Sequence, residues 1–187
     1  HGSTAICGVA YYDDTHFPEE FRGNTFIGNA VTCRVNRDEI VRKGSTYTAV
    51  LKPDFIKSED PWFRPVNVKM GPDGALYIAD FYNRIIGHYE VPLDHPGRDR
   101  ESGRIWRVIY KGHDKGRPAE FPRRDWTTAS SEELIEDLGH TNQWVRRTAT
   151  NQLASRAPNE TAPLIQAMLE NRENTPPQRL HGLWVLQ

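Results

Sequence analysis

The chain has 187 residues, with 24 Lys and Arg against 25 Asp and Glu, and 37% hydrophobic side chains. That near balance of charge gives no electrostatic case for nucleic acid or for an anionic membrane surface. No apolar run approaches the ~20 residues that span a bilayer and no signal peptide is visible, although a start at His1 and an end inside RLHGLWVLQ predict a piece of something longer.

Residues 1–112 carry the signals of β-structure. Short apolar and β-branched runs (AICGVAYY, NTFIGNAV, TCRVNR, TYTAVLK, PVNVKM, ALYIAD, RIWRVIY) recur between clusters of Gly, Asp, Pro and Asn. Gly71-Pro72-Asp73-Gly74 is the sharpest hairpin signal, since proline presets φ and Asp-Gly suits a tight turn. A weak repeat lays GNTFIGN (23–29) over GALYIAD (74–80), near the ~40–50-residue period of propeller blades. Residues 113–126 are polar and proline-containing and predict a linker. From residue 127 the period becomes helical. Ser130-x-x-Glu133 is a capping box ahead of Leu134, Ile135 and Leu138. Asn142 is a cap for Val145, Ala149 and Leu153. Asn159 is a cap for Leu164, Ile165, Met168 and Leu169. A fourth helix carries Leu180, Leu183 and Trp184 from Pro176-Pro177.

Two stretches carry family resemblances. NQWVRRTATNQL (142–153) resembles the core of a HEAT repeat. PEEFRGNTFIG (18–28), FRPVNVKMGPDGALYIAD (63–80) and GRIWRV (103–108) resemble the last blades of glucose/sorbosone dehydrogenase-like quinoprotein propellers. Together the order looks like the large membrane-bound dehydrogenases of planctomycetes. The resemblance implies a multidomain β + α chain: two C-terminal blades of a six-bladed β-propeller over 1–112, a linker, and α-α HEAT-like helical repeats over 127–187. It implies the end of a quinone-dependent sugar or alcohol dehydrogenase of a bacterial periplasm or other extracytoplasmic place. The catalytic base would lie outside this chain, so no catalytic residue is assigned. The alternative is a non-catalytic propeller and HEAT scaffold that binds a protein or a polysaccharide, the protein through its helices.

In that blade order the strands fall near 6–12, 25–30, 32–37 and 46–52, then near 65–70, 75–80 and 104–110. Cys7 and Cys33 then sit two strand spacings apart, ~9–10 Å, beyond the ~7 Å that a disulfide tolerates, which predicts free thiols. The candidate cofactor-binding residues are Arg64, Asn29, Asp80, Asn83, Arg84 and His88. Guanidinium groups suit the carboxylates of pyrroloquinoline quinone. Asp80 and Asn29, equivalent by the repeat, offer oxygens to calcium, although two oxygens are far from the ~6–8 it takes. No metal site is assigned, and the absence of CxxCH leaves c-type haem outside this chain. HYEVPLDHPGRDRES (88–102) reads as a long loop between strands, because Pro92 and Pro96 forbid a helix that would align His88 with His95.

Overall fold

A computed structural model of the chain describes residues 2–87, 90–112 and 119–187. Among these, β1 (Ile6–Tyr11), β2 (Asn24–Asn29), β3 (Arg34–Lys43) and β4 (Thr46–Lys57) form one antiparallel sheet in chain order. A second antiparallel sheet holds β5 (Pro65–Met70), β6 (Leu76–Asp80) and β7 (Arg104–Val108). The β5–β6 turn is made as its residues dictate. Gly74 takes φ +79°, its N–H donates to the Gly71 carbonyl at 3.1 Å, and the Asp73 carboxylate accepts the Ala75 N–H at 3.2 Å.

The two sheets pack face to face. Ala10, Phe26 and Val35 from the first meet Val68, Met70, Leu76 and Ile78 from the second, with Tyr12, Phe17 and Phe63 completing one core. Two glycines permit the approach. A Cβ on Gly8, whose φ is +65°, would lie 2.3 Å from the Asn67 Cα, and one on Gly28 would lie 2.4 Å from the Pro65 carbonyl oxygen. Cys7 and Cys33 are both free thiols.

The propeller and HEAT expectation is corrected at this level. The sheets are two small, open, uncurled layers of four and three strands, not blades around an axis. Alternation and turn chemistry specify antiparallel hairpins, but they leave open how hairpin sheets assemble. Here one shared apolar layer buries the inner faces without closing a ring. The helical part is equally limited. Among the described residues it comprises α1 (Ser131–Asp137), α2 (Gln143–Ala154), α3 (Pro158–Glu170) and α4 (Pro176–Val185), four short helices rather than an extended solenoid. Their core is Leu134, Leu138, Val145, Ala149, Leu153, Ile165 and Met168.

Local sequence explains most of the helix ends. Ser130 and Glu133 form the reciprocal capping box, and the Asn142 side chain accepts the Trp144 and Val145 N–H groups. Two details differ from the sequence reading. α3 starts with Pro158 in its first turn, behind Ala157 and without a side-chain cap, so Asn159 is not its cap. α4 turns His181 and Gly182 inward and leaves Leu180, Leu183 and Trp184 exposed. The Thr150 hydroxyl lies 2.8 Å from His181 Nδ1, and a Cβ on Gly182 would collide with Met168 Cε at 2.3 Å. A buried hydrogen bond and a close helix approach thus choose the inner face over the apolar stripe.

Helices and sheets share contacts. Asn142 Nδ2 donates to the Gly71 carbonyl at 2.8 Å, the Gln143 N–H donates to the Asp13 carbonyl at 3.1 Å, and Arg146 pairs with the Asp13 carboxylate. Part of the stretch expected to be a linker, 113–118, lies outside the described residues.

Candidate ligand ledge at the Arg64 end

Arg64 precedes β5 and is 8% exposed. Its Nε donates to the Asn83 carbonyl at 3.0 Å, Nη1 to the carbonyls of Ala30 (2.7 Å) and Val31 (3.2 Å), and Nη2 to that of Arg84 (3.2 Å). The guanidinium therefore ties the β2–β3 turn of one sheet to the loop after β6 of the other. Its planar, multiply donating shape suits four converging carbonyls in a way that a point-charge ammonium does not.

The other candidate residues meet around it. Asp80 Oδ1 accepts the N–H groups of Arg64 (2.7 Å) and Tyr82 (2.9 Å), and Oδ2 accepts Trp106 Nε1 (2.9 Å). Asn29 donates from Nδ2 to Asn36 Oδ1 at 3.0 Å and accepts the Thr32 N–H at 3.2 Å. Asn83 accepts the Ile85 N–H at 3.1 Å and donates to the Asp99 carbonyl at 2.6 Å. Arg84 contributes only its carbonyl, its side chain being exposed. His88 lies outside the described residues.

This arrangement does not fit the cofactors that the sequence suggested. The Arg64 donors point at main-chain oxygens, with little surface left for a quinone carboxylate. The Asp80 and Asn29 oxygens offered to calcium already accept N–H groups, Asp80 those of Arg64 and Tyr82 and Asn29 that of Thr32. Among the described residues no group of three or more His, Cys, Asp or Glu is placed to hold a metal ion. In the long loop, Arg98 folds onto its own segment, donating to the carbonyls of Gly87 (2.7 Å), Val91 (2.6 Å) and Pro92 (2.9 Å). His95 Nδ1 accepts the Gly97 N–H at 3.0 Å. Asp99 is held below the usual carboxylate range by the Ser102 hydroxyl and by the N–H groups of Glu101 and Ser102.

What this polar knot supports is an aromatic surface that the sequence reading missed. The Tyr82 ring is flanked by the Trp62 ring, 5.5 Å away, and by the Arg104 guanidinium, 3.2 Å from its centroid. Arg104 also lies 5.9 Å from the Trp106 ring, and Phe81 stands exposed beside them. Tyr82 has φ +46°, an unusual conformation for a non-glycine residue, fixed by its N–H bond to Asp80. The available signal was aromatic residues set among the polar ones, Trp62 two before Arg64 and Phe81-Tyr82 directly after Asp80.

One family model, Domain of unknown function (DUF7133), matches residues 1–112. The chain belongs to the DUF7133 family. No curated protein and no solved structure matches it. DUF7133 membership covers both sheets and the whole ledge. It replaces the planctomycete dehydrogenase resemblance, and with it the quinoprotein and oxidoreductase reading and its propeller and HEAT scaffold alternative. Neither propeller geometry nor a metal-holding cluster stands behind them among the described residues. Among those residues no helix is long and apolar enough to cross a membrane.

Proposed function

We propose that the chain is a saccharide-binding module whose ledge of Trp62, Tyr82 and Phe81 takes a sugar or polysaccharide chain. The observation that carries this reading is the Trp62–Tyr82–Arg104 stack at a loop end tied by Arg64. A pyranose presents one face of C–H groups to an aromatic ring and hydroxyls at its edge. Aromatic side chains with polar tips serve both, and Arg104 adds donors at the rim. A shallow surface of this kind suits a chain lying across it rather than a small molecule enclosed in a cleft. Such a ligand would be met outside the cytoplasm of a bacterium, including its periplasm, and cell fractionation tests that placement.

The test is glycan-array screening followed by titration calorimetry with the full chain and its Trp62→Ala and Tyr82→Ala variants. Binding of one polysaccharide class, lost at least ~10-fold in both variants with the melting curve unchanged, supports the reading. No binding by the wild type, or binding indifferent to both substitutions, refutes it. A second reading, a protein partner on the helical part, is favoured by the exposed Leu180, Leu183 and Trp184 of α4. It predicts a captured partner that is released by Leu183→Lys.

A further inference from the structure

The β3–β4 hairpin reaches beyond its sheet. β2 pairs with β3 only as far as Asn24 opposite Glu39, with one further bond from the Ile40 N–H to the Gly23 carbonyl at 3.3 Å. Past that point Val41 to Lys43 pair only with Tyr47, Thr48 and Thr46, as a two-stranded ribbon. Such ribbons are marginal alone in water. Residues 46–51, TYTAVL, are all exposed, Tyr47 and Leu51 at 67% each. They carry no charge, no Gly and no Pro, and the run ends at Lys52 and Pro53.

The hydrogen-bonding direction of this edge follows from the ladder. Ile40 points its N–H towards Gly23, so its pair with Ala49 is a non-hydrogen-bonded one. The N–H and C=O groups of Ala49, and of Tyr47 and Leu51 two positions either side, therefore point outward along the free edge of β4. Native proteins guard such edges with Lys, Arg or Pro. The free stretch of β3 has Arg42 and Lys43, and β7 has Arg104 and Arg107, whereas β4 has no guard over 46–51.

We infer that β4 is the pairing edge for a second copy of this chain, which adds antiparallel across a two-fold axis at Ala49. That register places Ala49 against Ala49 and Tyr47 against Leu51 of the other copy. All three outward pairs then exchange N–H and C=O, and aromatic faces aliphatic on one side of a continuous sheet. The charges agree with it. No charged side chain meets a like one within the paired run. Because the axis is two-fold, the contact closes at two copies. This inference does not depend on the saccharide reading.

The test is sedimentation velocity on the full chain from ~1 to ~200 μM, a range that brackets weak, edge-sized interfaces, with amide hydrogen exchange at both ends. Twice the chain mass at high concentration, with the amides of Tyr47, Ala49 and Leu51 gaining protection together, is expected. Ala49→Pro removes the central outward donor without removing a β3–β4 bond. It should weaken association at least ~10-fold with the circular dichroism of the monomer unchanged. If Ala49→Pro does not fold, Leu51→Lys serves the same purpose. A wild type monomeric at ~200 μM, an assembly larger than two, a dimer without protection at those three amides, or a dimer indifferent to the folded variant would each overturn the inference.

Discussion

Arg64→Met separates a supporting role for this arginine from a ligand-binding one. Methionine keeps most of the length and removes the charge and the donors. Four carbonyls lose a partner: Ala30, Val31, Asn83 and Arg84. Ala30 and Asn83 are buried, so water cannot replace the lost bonds there, while Val31 and Arg84 are exposed and recover theirs from solvent. Each buried unsatisfied group costs about 1–3 kcal/mol, so the substitution should cost about 2–6 kcal/mol, a large share of the ~5–15 kcal/mol of a typical domain. The assay is urea unfolding followed by tryptophan fluorescence, with Arg84→Met as control. Arg84 contributes only a main-chain oxygen, and its substitution should stay within about 0.5 kcal/mol. A loss below ~1 kcal/mol for Arg64→Met, or equal losses for the two, would refute the reasoning. Arg64 would then be a cation held for something else.

Two further outcomes follow from close packing and from burial. Gly28→Ala sets a Cβ 2.4 Å from the Pro65 carbonyl oxygen and 2.9 Å from that of Cys7, both main chain. It should lower stability in the same urea assay by about 1–3 kcal/mol or more, whereas Gly103→Ala, with its nearest neighbour 3.8 Å away, should be near neutral. Burial first, and the Arg146 charge second, hold the His181 imidazole below its ordinary value of 6.5. The unfolded chain then binds that proton more readily than the folded one. The resulting stability is complete above about pH 6.5 and is lost as pH falls through the folded value. Thermal melts at pH 7.5 and 5 should show a steeper acid-side fall for wild type than for His181→Gln, and equal falls would exclude this source.

Strand and helix positions were legible because local chemistry sets them. Gly71-Pro72-Asp73-Gly74 makes its turn and Ser130-x-x-Glu133 its capping box whatever surrounds them. Sheet assembly was not legible, because the alternation in ALYIAD states which face is buried and not what buries it. The same holds for α4, where the Thr150–His181 bond and the Gly182 contact overrode a stripe that periodicity favoured. At the candidate site the sequence singled out polar residues, and the structure brings Arg64, Asp80, Asn83 and the turn beside Asn29 together. Most of their partners are main-chain groups of the surrounding loops, which no spacing rule predicts.

That pairing bears on how the surface works. A polar group available to a ligand must keep unspent donors or acceptors, and burial makes unspent ones costly. Nearly all the bonding capacity of Arg64 and Asp80 goes into fixing two loops from different sheets. Beside them stand the exposed Phe81 and the half-buried rings of Trp62 and Tyr82, with Tyr82 held at φ +46° by its N–H bond to Asp80. An aromatic surface gains little from flexible support, because each ring ordered on binding subtracts conformational entropy from the affinity. On the saccharide reading proposed above, the buried polar knot and the part-exposed rings act as one device, the first removing in advance an ordering cost that the second would otherwise meet. It follows that Arg64→Lys, which keeps the charge but cannot reach four carbonyls in one plane, should weaken the proposed saccharide binding at Trp62 even where the chain remains folded.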